Sequence, residues 1–80
     1  MLIKTREGGF TISVSCSVAA PKGMYRVIGI DLFERTGWLE KDCGTFEEAT
    51  VLAKGKYERG NTDMHVHDET GRLVFDASDL

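Results

Sequence analysis

The sequence predicts an α+β domain, an antiparallel sheet of five to six strands with one helix packed on one face, in the order β-β-β-β-α-β-β. Three observations predict it. Residues 10–19 alternate apolar and polar with period two, which marks a strand with one buried face. A capping box followed by an apolar stripe marks a single helix. Turn signatures ending in glycine separate short apolar runs on both sides of that helix.

Taken in order, residues 2–6 can pair with the strand at 10–19 through Glu7-Gly8-Gly9. In that second strand Phe10, Ile12, Val14, Cys16 and Val18 share a face, and Thr11, Ser13, Ser15 and Ser17 share the other. Ala20-Pro21-Lys22-Gly23 then reads as a type I turn closing a hairpin with residues 24–34. In this third strand Ile28, Ile30 and Leu32 lie on one face, and Tyr25, Val27 and Phe33 on the other. Apolar side chains on both faces place it centrally in the sheet. Glu34-Arg35-Thr36-Gly37 reads as the next turn, returning as a short strand over 38–42.

Thr45-Phe46-Glu47-Glu48 is the capping box, and Phe46, Ala49, Leu52 and Ala53 form the stripe. Gly60 and Asn61 supply its stop. Gly55 inside it costs about 1 kcal/mol relative to Ala, so the helix depends on packing against the sheet. Asp68-Glu69-Thr70-Gly71 joins two last strands, over 63–68 and 72–77.

The chain of 80 residues reads as one domain, residues 1–80, with no linker or charge block dividing it. So small a domain buries a thin core and commonly adds disulfides, a metal or self-association. Two cysteines are too few for a secreted disulfide scaffold, and the first residues lack a signal peptide's apolar stretch. A reducing cytoplasm, bacterial or phage, is the expected setting, with no membrane span. Net charge is −3, with ten basic residues scattered among thirteen acidic ones, which disfavours nucleic acid as a partner.

A single helix covers one sheet face at best, because it is about 10 Å wide and strands lie about 4.8 Å apart. Tyr25, Val27, Phe33 and Trp38 are then expected on the uncovered face, as the interface of a homodimer or a protein partner. Twist or a terminal segment laid over them is the alternative. A stacking platform for single-stranded nucleic acid, from Tyr25, Phe33 and Trp38 beside Arg26 and Arg35, is a further expectation.

Met64-His65-Val66-His67-Asp68 is the most suggestive local motif. On a strand, His65 and His67 project to one face about 6.6–7 Å apart and can ligate Zn²⁺ if a third donor joins them. Glu34, Glu40 and Asp42 are candidates for that donor; the plainer account is two surface histidines alternating with core Met64 and Val66. No other cofactor is expected. Cys43, just before the helix, sits where a helix N-terminus favours a thiolate, against the plain reading of an idle thiol. Cys16 belongs to the apolar face of its strand, and a Cys16–Cys43 bridge is disfavoured by the compartment. The serine ladder reads as an ordinary solvent face, and Ala53-Lys54-Gly55-Lys56 lacks the full phosphate-loop pattern.

Three segments carry a resemblance: Tyr25-Arg26-Val27-Ile28-Gly29-Ile30-Asp31, Thr45-Phe46-Glu47-Glu48-Ala49 and Met64-His65-Val66-His67-Asp68-Glu69-Thr70-Gly71-Arg72. From residue 24 onward the chain resembles small, functionally uncharacterised bacterial proteins of hairpin–helix–hairpin layout. The resemblance implies the fold and brings no catalytic residues. With no convergent nucleophile or acid–base motif either, the expectation is a non-enzymatic protein-interaction module, with metal binding at His65 and His67 as the alternative.

Overall fold

The seven-residue strand Tyr25–Asp31 is apolar on both faces, and it lies inside the sheet with a strand on each side. The structure is a computed structural model and describes residues 1–5, 9 and 11–79. In chain order the strands are β1 (Leu2–Lys4), β2 (Thr11–Val14), β3 (Tyr25–Asp31) and β4 (Thr36–Cys43), then helix α1 (Phe46–Lys56), β5 (Thr62–His67) and β6 (Leu73–Asp76). They form one six-stranded mixed sheet in the order β1-β2-β4-β3-β5-β6, curled into a half-barrel. A single 3₁₀ turn, Ala77–Asp79, follows β6.

The fold class and the element order are as the sequence predicts, and the pairing differs at one place. β2 is antiparallel to β1, with Leu2 opposite Ser13, but it joins β4 in parallel, with Val14 opposite Gly37. The expected hairpin of β2 with β3 is absent. A turn does form, with Met24 N–H donating to the Pro21 carbonyl at 3.0 Å and Gly23 at φ +75°. The chain leading into it has already left the sheet, however. Ala20 N–H donates to the Asp68 carbonyl at 3.0 Å, and the Ser17 carbonyl accepts from Arg26 Nη1 at 2.9 Å. Gly37 explains the parallel contact, since a Cβ there would stand 2.9 Å from Val14 Cγ2. Its glycine therefore serves close strand packing, not the turn assigned to it.

That turn lies earlier, over residues 32–35. Arg35 adopts φ +60°, and Asp31 Oδ1 accepts from the amides of Phe33 and Glu34 at 2.9 and 3.1 Å. The Asp68–Gly71 turn forms as expected, with Asp68 Oδ1 accepting from Thr70 N–H at 2.9 Å and Gly71 at φ +86°. Phe10 and the Arg6, Glu7 and Gly8 connection lie outside the described residues.

Helix α1 starts where the capping box predicts, with Thr45 Oγ1 accepting from Glu48 N–H at 3.1 Å. It ends at Lys56, before Gly60, because residues 58–62 close their own tight connection into β5 through reciprocal Glu58–Thr62 backbone bonds of 2.9 and 2.8 Å. Ala49 and Ala53 form the buried stripe of α1. With Val27, Cys43, Met64, Val66 and Ala77 they make the first core.

A second core fills the opposite face of the sheet. Ile12, Val14, Val18, Ile28, Ile30 and Leu32 build it, with Ile3 and Cys16 against them. The N-terminal strands and residues 15–20 curl over Ile28 and Ile30, so the face without a helix is covered by the chain itself. Each such buried aliphatic side chain contributes about 1.5–3 kcal/mol. This reverses the expected assignment of β3: Val27 and Tyr25 lie under the helix, and Ile28 and Ile30 under the N-terminal segment.

Candidate metal centre

β5 has two unlike faces. Met64 and Val66 enter the helix-side core, while Asp63, His65 and His67 project to the other side. Register fixes this, because Asp63 lies directly opposite Ile30 and His65 opposite Ile28, residues of the second core. Across the other neighbour, His65 lies opposite Asp76 of β6. The three polar side chains are sealed, with Asp63 at 0 %, His65 at 1 % and Asp76 at 4 % exposure.

The carboxylates converge on one nitrogen. His65 Nε2 is 3.1 Å from Asp63 Oδ2 and 3.2 Å from Asp76 Oδ2. Both outer oxygens are held: Asp63 Oδ1 accepts from Met64 N–H at 2.8 Å, and Asp76 Oδ1 from the Ser78 amide and hydroxyl at 3.0 and 2.8 Å. Thr5, buried at the end of β1, donates its hydroxyl to Asp63 Oδ2 at 3.0 Å. An imidazole nitrogen carries at most one hydrogen. That hydrogen points to Asp63, and Asp76 Oδ2, though only 3.2 Å from the nitrogen, is left without a hydrogen-bond donor among the described residues.

Electrostatics sharpen the conflict. Burial works against a charge on His65, but its hydrogen bond to Asp63, the close approach of Asp76 and the negative charge of both outweigh it, raising its pKa from 6.5 to about 9. Burial likewise opposes ionisation of Asp76, and the adjacent His65 together with the hydrogen bonds from Ser78 prevail, holding it below the usual carboxylate range. Without an ion, an ionised Asp76 therefore lies against a protonated His65. Its Nδ1 hydrogen finds no acceptor among the described residues.

His67 stands beside it, ring centroids 5.9 Å apart. Its Nδ1 donates to the Gly71 carbonyl at 3.1 Å, which fixes the tautomer and leaves the buried Nε2 as a lone pair without a partner among the described residues. Burial first, and the charge of His65 in addition, push its pKa down, so this ring is neutral.

A tetrahedral zinc with bonds of about 2.0–2.2 Å needs its donors about 3.3–3.5 Å apart. The two nitrogen–oxygen separations lie within a few tenths of an ångström of that, and all three donor atoms fall within 4.8 Å of one another. Among the described residues this is the one such group of donors. A cleft of about 280 Å³, lined by Lys4, Thr5, Gly9, Leu73 and Asp76, reaches its edge.

No family model, curated protein or solved structure matches this chain. The site must therefore be read from its own chemistry.

The other candidate residues are placed as follows. His65 and His67 share a face, as expected, but they are buried instead of exposed. The partners of His65 are Asp63 and Asp76, not Glu34, Glu40 or Asp42. Asp42 pairs with Arg26 at 2.8 and 3.0 Å, Glu40 accepts from the Trp38 indole at 3.1 Å, and Glu34 is exposed in its turn. Val27 is fully buried and Tyr25 packs edge-on against Phe46 at 5.7 Å, so neither heads an open interface. Trp38 lies against Gly29, where any Cβ would collide with the indole. Phe33 alone of the four projects freely, at 88 % exposure. The observation behind self-association, an uncovered apolar sheet face, is thereby removed. The stacking platform is also dispersed, with Arg26 engaged by Asp42 and Tyr25 about 13 Å along β3 from the Trp38 position.

Cys43 is buried, and burial together with nearby Glu48 pushes its thiol pKa up, the opposite of an activated nucleophile. Cys16 packs on the second core and Cys43 in the first, on opposite sides of the sheet, and both are free. Asp63 and Asp76 are the residues sequence reasoning missed. For Asp63 the signal was present, since Asp63-Met64-His65-Val66-His67 is period two with every second residue a metal donor.

Proposed function

We propose that this is a metal-binding protein holding a zinc-class divalent ion at Asp63, His65 and Asp76, with His67 beside the site. One observation carries the reading: two buried carboxylates aim at a single imidazole nitrogen that has one hydrogen to offer. A divalent cation satisfies both oxygens and the nitrogen together and cancels the two negative charges. The Thr5 and Ser78 bonds fit the supporting contacts that orient metal-ligating carboxylates. His67 supplies a neutral, correctly sealed neighbour.

The test is native mass spectrometry and elemental analysis of the untagged protein, alongside Asp76→Asn, a near-isosteric change. The expected result is one zinc per chain in the parent and none in Asp76→Asn, with both showing the same circular dichroism. A parent that stays metal-free after zinc addition, at unchanged thermal stability, overturns the reading and leaves the cluster as a buried ion pair.

A further inference from the structure

We infer that His67 is the positioning residue of the metal site: its Nε2 accepts the Nδ1 hydrogen of His65 when the ion is seated, and so holds the His65 ring with its own Nε2 on the ion. This rests on the metal reading above. The two rings lie side by side on one face of β5, with centroids 5.9 Å apart. Both are sealed, at 1 % and 4 % exposure. Each has one nitrogen engaged and one without a hydrogen-bond partner among the described residues.

The engaged nitrogens mark the two ends of the row. His65 Nε2 faces Asp63 and Asp76, and His67 Nδ1 faces Gly71, in the turn beyond the end of β5. The two nitrogens of an imidazole sit on well-separated edges of the ring. Those that remain, His65 Nδ1 and His67 Nε2, are therefore turned toward the space between the rings. Their chemistry is matched. An ion on Nε2 leaves His65 its hydrogen on Nδ1, and the Gly71 bond leaves His67 a lone pair on Nε2. Burial keeps His67 uncharged, so that lone pair stays available. A metal-ligating histidine almost always gives its second N–H to a fixed acceptor, which sets its tautomer and orients its ring. Once Asp76 Oδ2 is on the ion, His67 Nε2 is the buried acceptor still unused among the described residues.

The experiment uses the full chain. Zinc affinity is measured by competition with a chelator, and the histidine nitrogens are read by NMR in zinc-loaded, ¹⁵N-histidine-labelled protein. In the parent, His65 should carry its hydrogen on Nδ1, with a scalar coupling across the hydrogen bond to His67 Nε2. His67→Gln keeps an acceptor near the Nε2 position and gives up the Gly71 contact. It should lose less than about threefold in zinc affinity, below the range seen when a ligand's partner is removed. His67→Asn keeps a donor near the Nδ1 position and gives up the inner acceptor, and it should bind zinc about 10–100-fold more weakly. A merely structural His67 gives equal losses or the reverse order, because the Gly71 bond is then what matters, and either result overturns this inference alone. So does a zinc-loaded parent that lacks the coupling or carries the His65 hydrogen on Nε2, which decides the matter even if neither variant folds. A chain that takes up no zinc overturns the metal reading, and this inference with it.

Discussion

On one side of β5, Met64 and Val66 share a core with Ala49 and Ala53 of the helix; on the other, Asp63, His65 and His67 stand in a row. Both sides are equally dry. The helix side is held by apolar transfer and close packing, and any side chain of suitable volume would serve there. The other side starts the same way, with Ile12, Ile28 and Ile30, and then turns ionic where β5 and β6 meet. Replacing a buried ion pair with apolar residues is often neutral or stabilising, so stability alone does not account for Asp-His-Asp at this position. The contrast between the two faces is what separates a scaffold from a site.

The contrast is broken most strongly by removing one member from each side and measuring urea unfolding of the metal-free protein. His65→Ala leaves two carboxylates buried without a counter-charge and should cost about 3–5 kcal/mol. Met64→Ala leaves a cavity and should cost about 2–5 kcal/mol. The two differ in what repairs them. Adding Asp76→Asn to His65→Ala should recover stability, because one orphaned charge disappears, whereas the same addition to Met64→Ala should not. If His65→Ala costs under about 1 kcal/mol, the carboxylates reach water and the seal is not there.

Acidity sharpens the same contrast with a smaller effect. His65 titrates near 9 when folded and 6.5 in its unperturbed state, so its contribution to metal-free stability is complete below pH 6.5 and lost as pH rises to about 9. Asp76 is shifted the other way, so its contribution is present above the ordinary carboxylate range and is lost on strong acidification. Stability of the metal-free chain should therefore fall between pH 6.5 and 9 in the parent and in Met64→Ala. In His65→Leu that fall should be gone. A parent profile flat across this window would mean that His65 is not paired as described.

The elements were legible in the sequence to the extent that local chemistry determines them. Thr45 caps its helix, Asp68 and Gly71 form their turn, and the doubly apolar β3 sits inside the sheet. Partnership was less legible. Period-two alternation says which residues of a strand share a face, but not which face receives the helix, and so Val27 and Ile28 exchanged sides. It is equally silent on whether β2 meets β3 or β4; Gly37, read as a turn residue, was the clue to a close parallel contact. The site suffers from the same limit. His65 and His67 could be seen on one face, and Asp63 belongs to the same alternation. Asp76, though, arrives from the next strand through a register that shifts between Val66 and His67, which no spacing in the sequence encodes.

The smallest effect is expected at Phe33, and it tests whether anything of the interface expectation survives. The ring is 88 % exposed at the tip of the turn between β3 and β4, and the turn is held by its backbone, through Asp31 Oδ1 and the Arg35 amide, which donates to the Asp31 carbonyl at 2.8 Å. Phe33→Ser removes apolar area that folding does not bury, so stability should change by no more than about 0.5 kcal/mol. Zinc content should not change, because the turn contributes no donor. Sedimentation of parent and variant at the same micromolar concentration should then give the same mass. A parent dimer that Phe33→Ser converts to monomer would restore a self-association surface, moved from the sheet face to this turn, and would show that the two filled cores do not exhaust the apolar surface the chain uses.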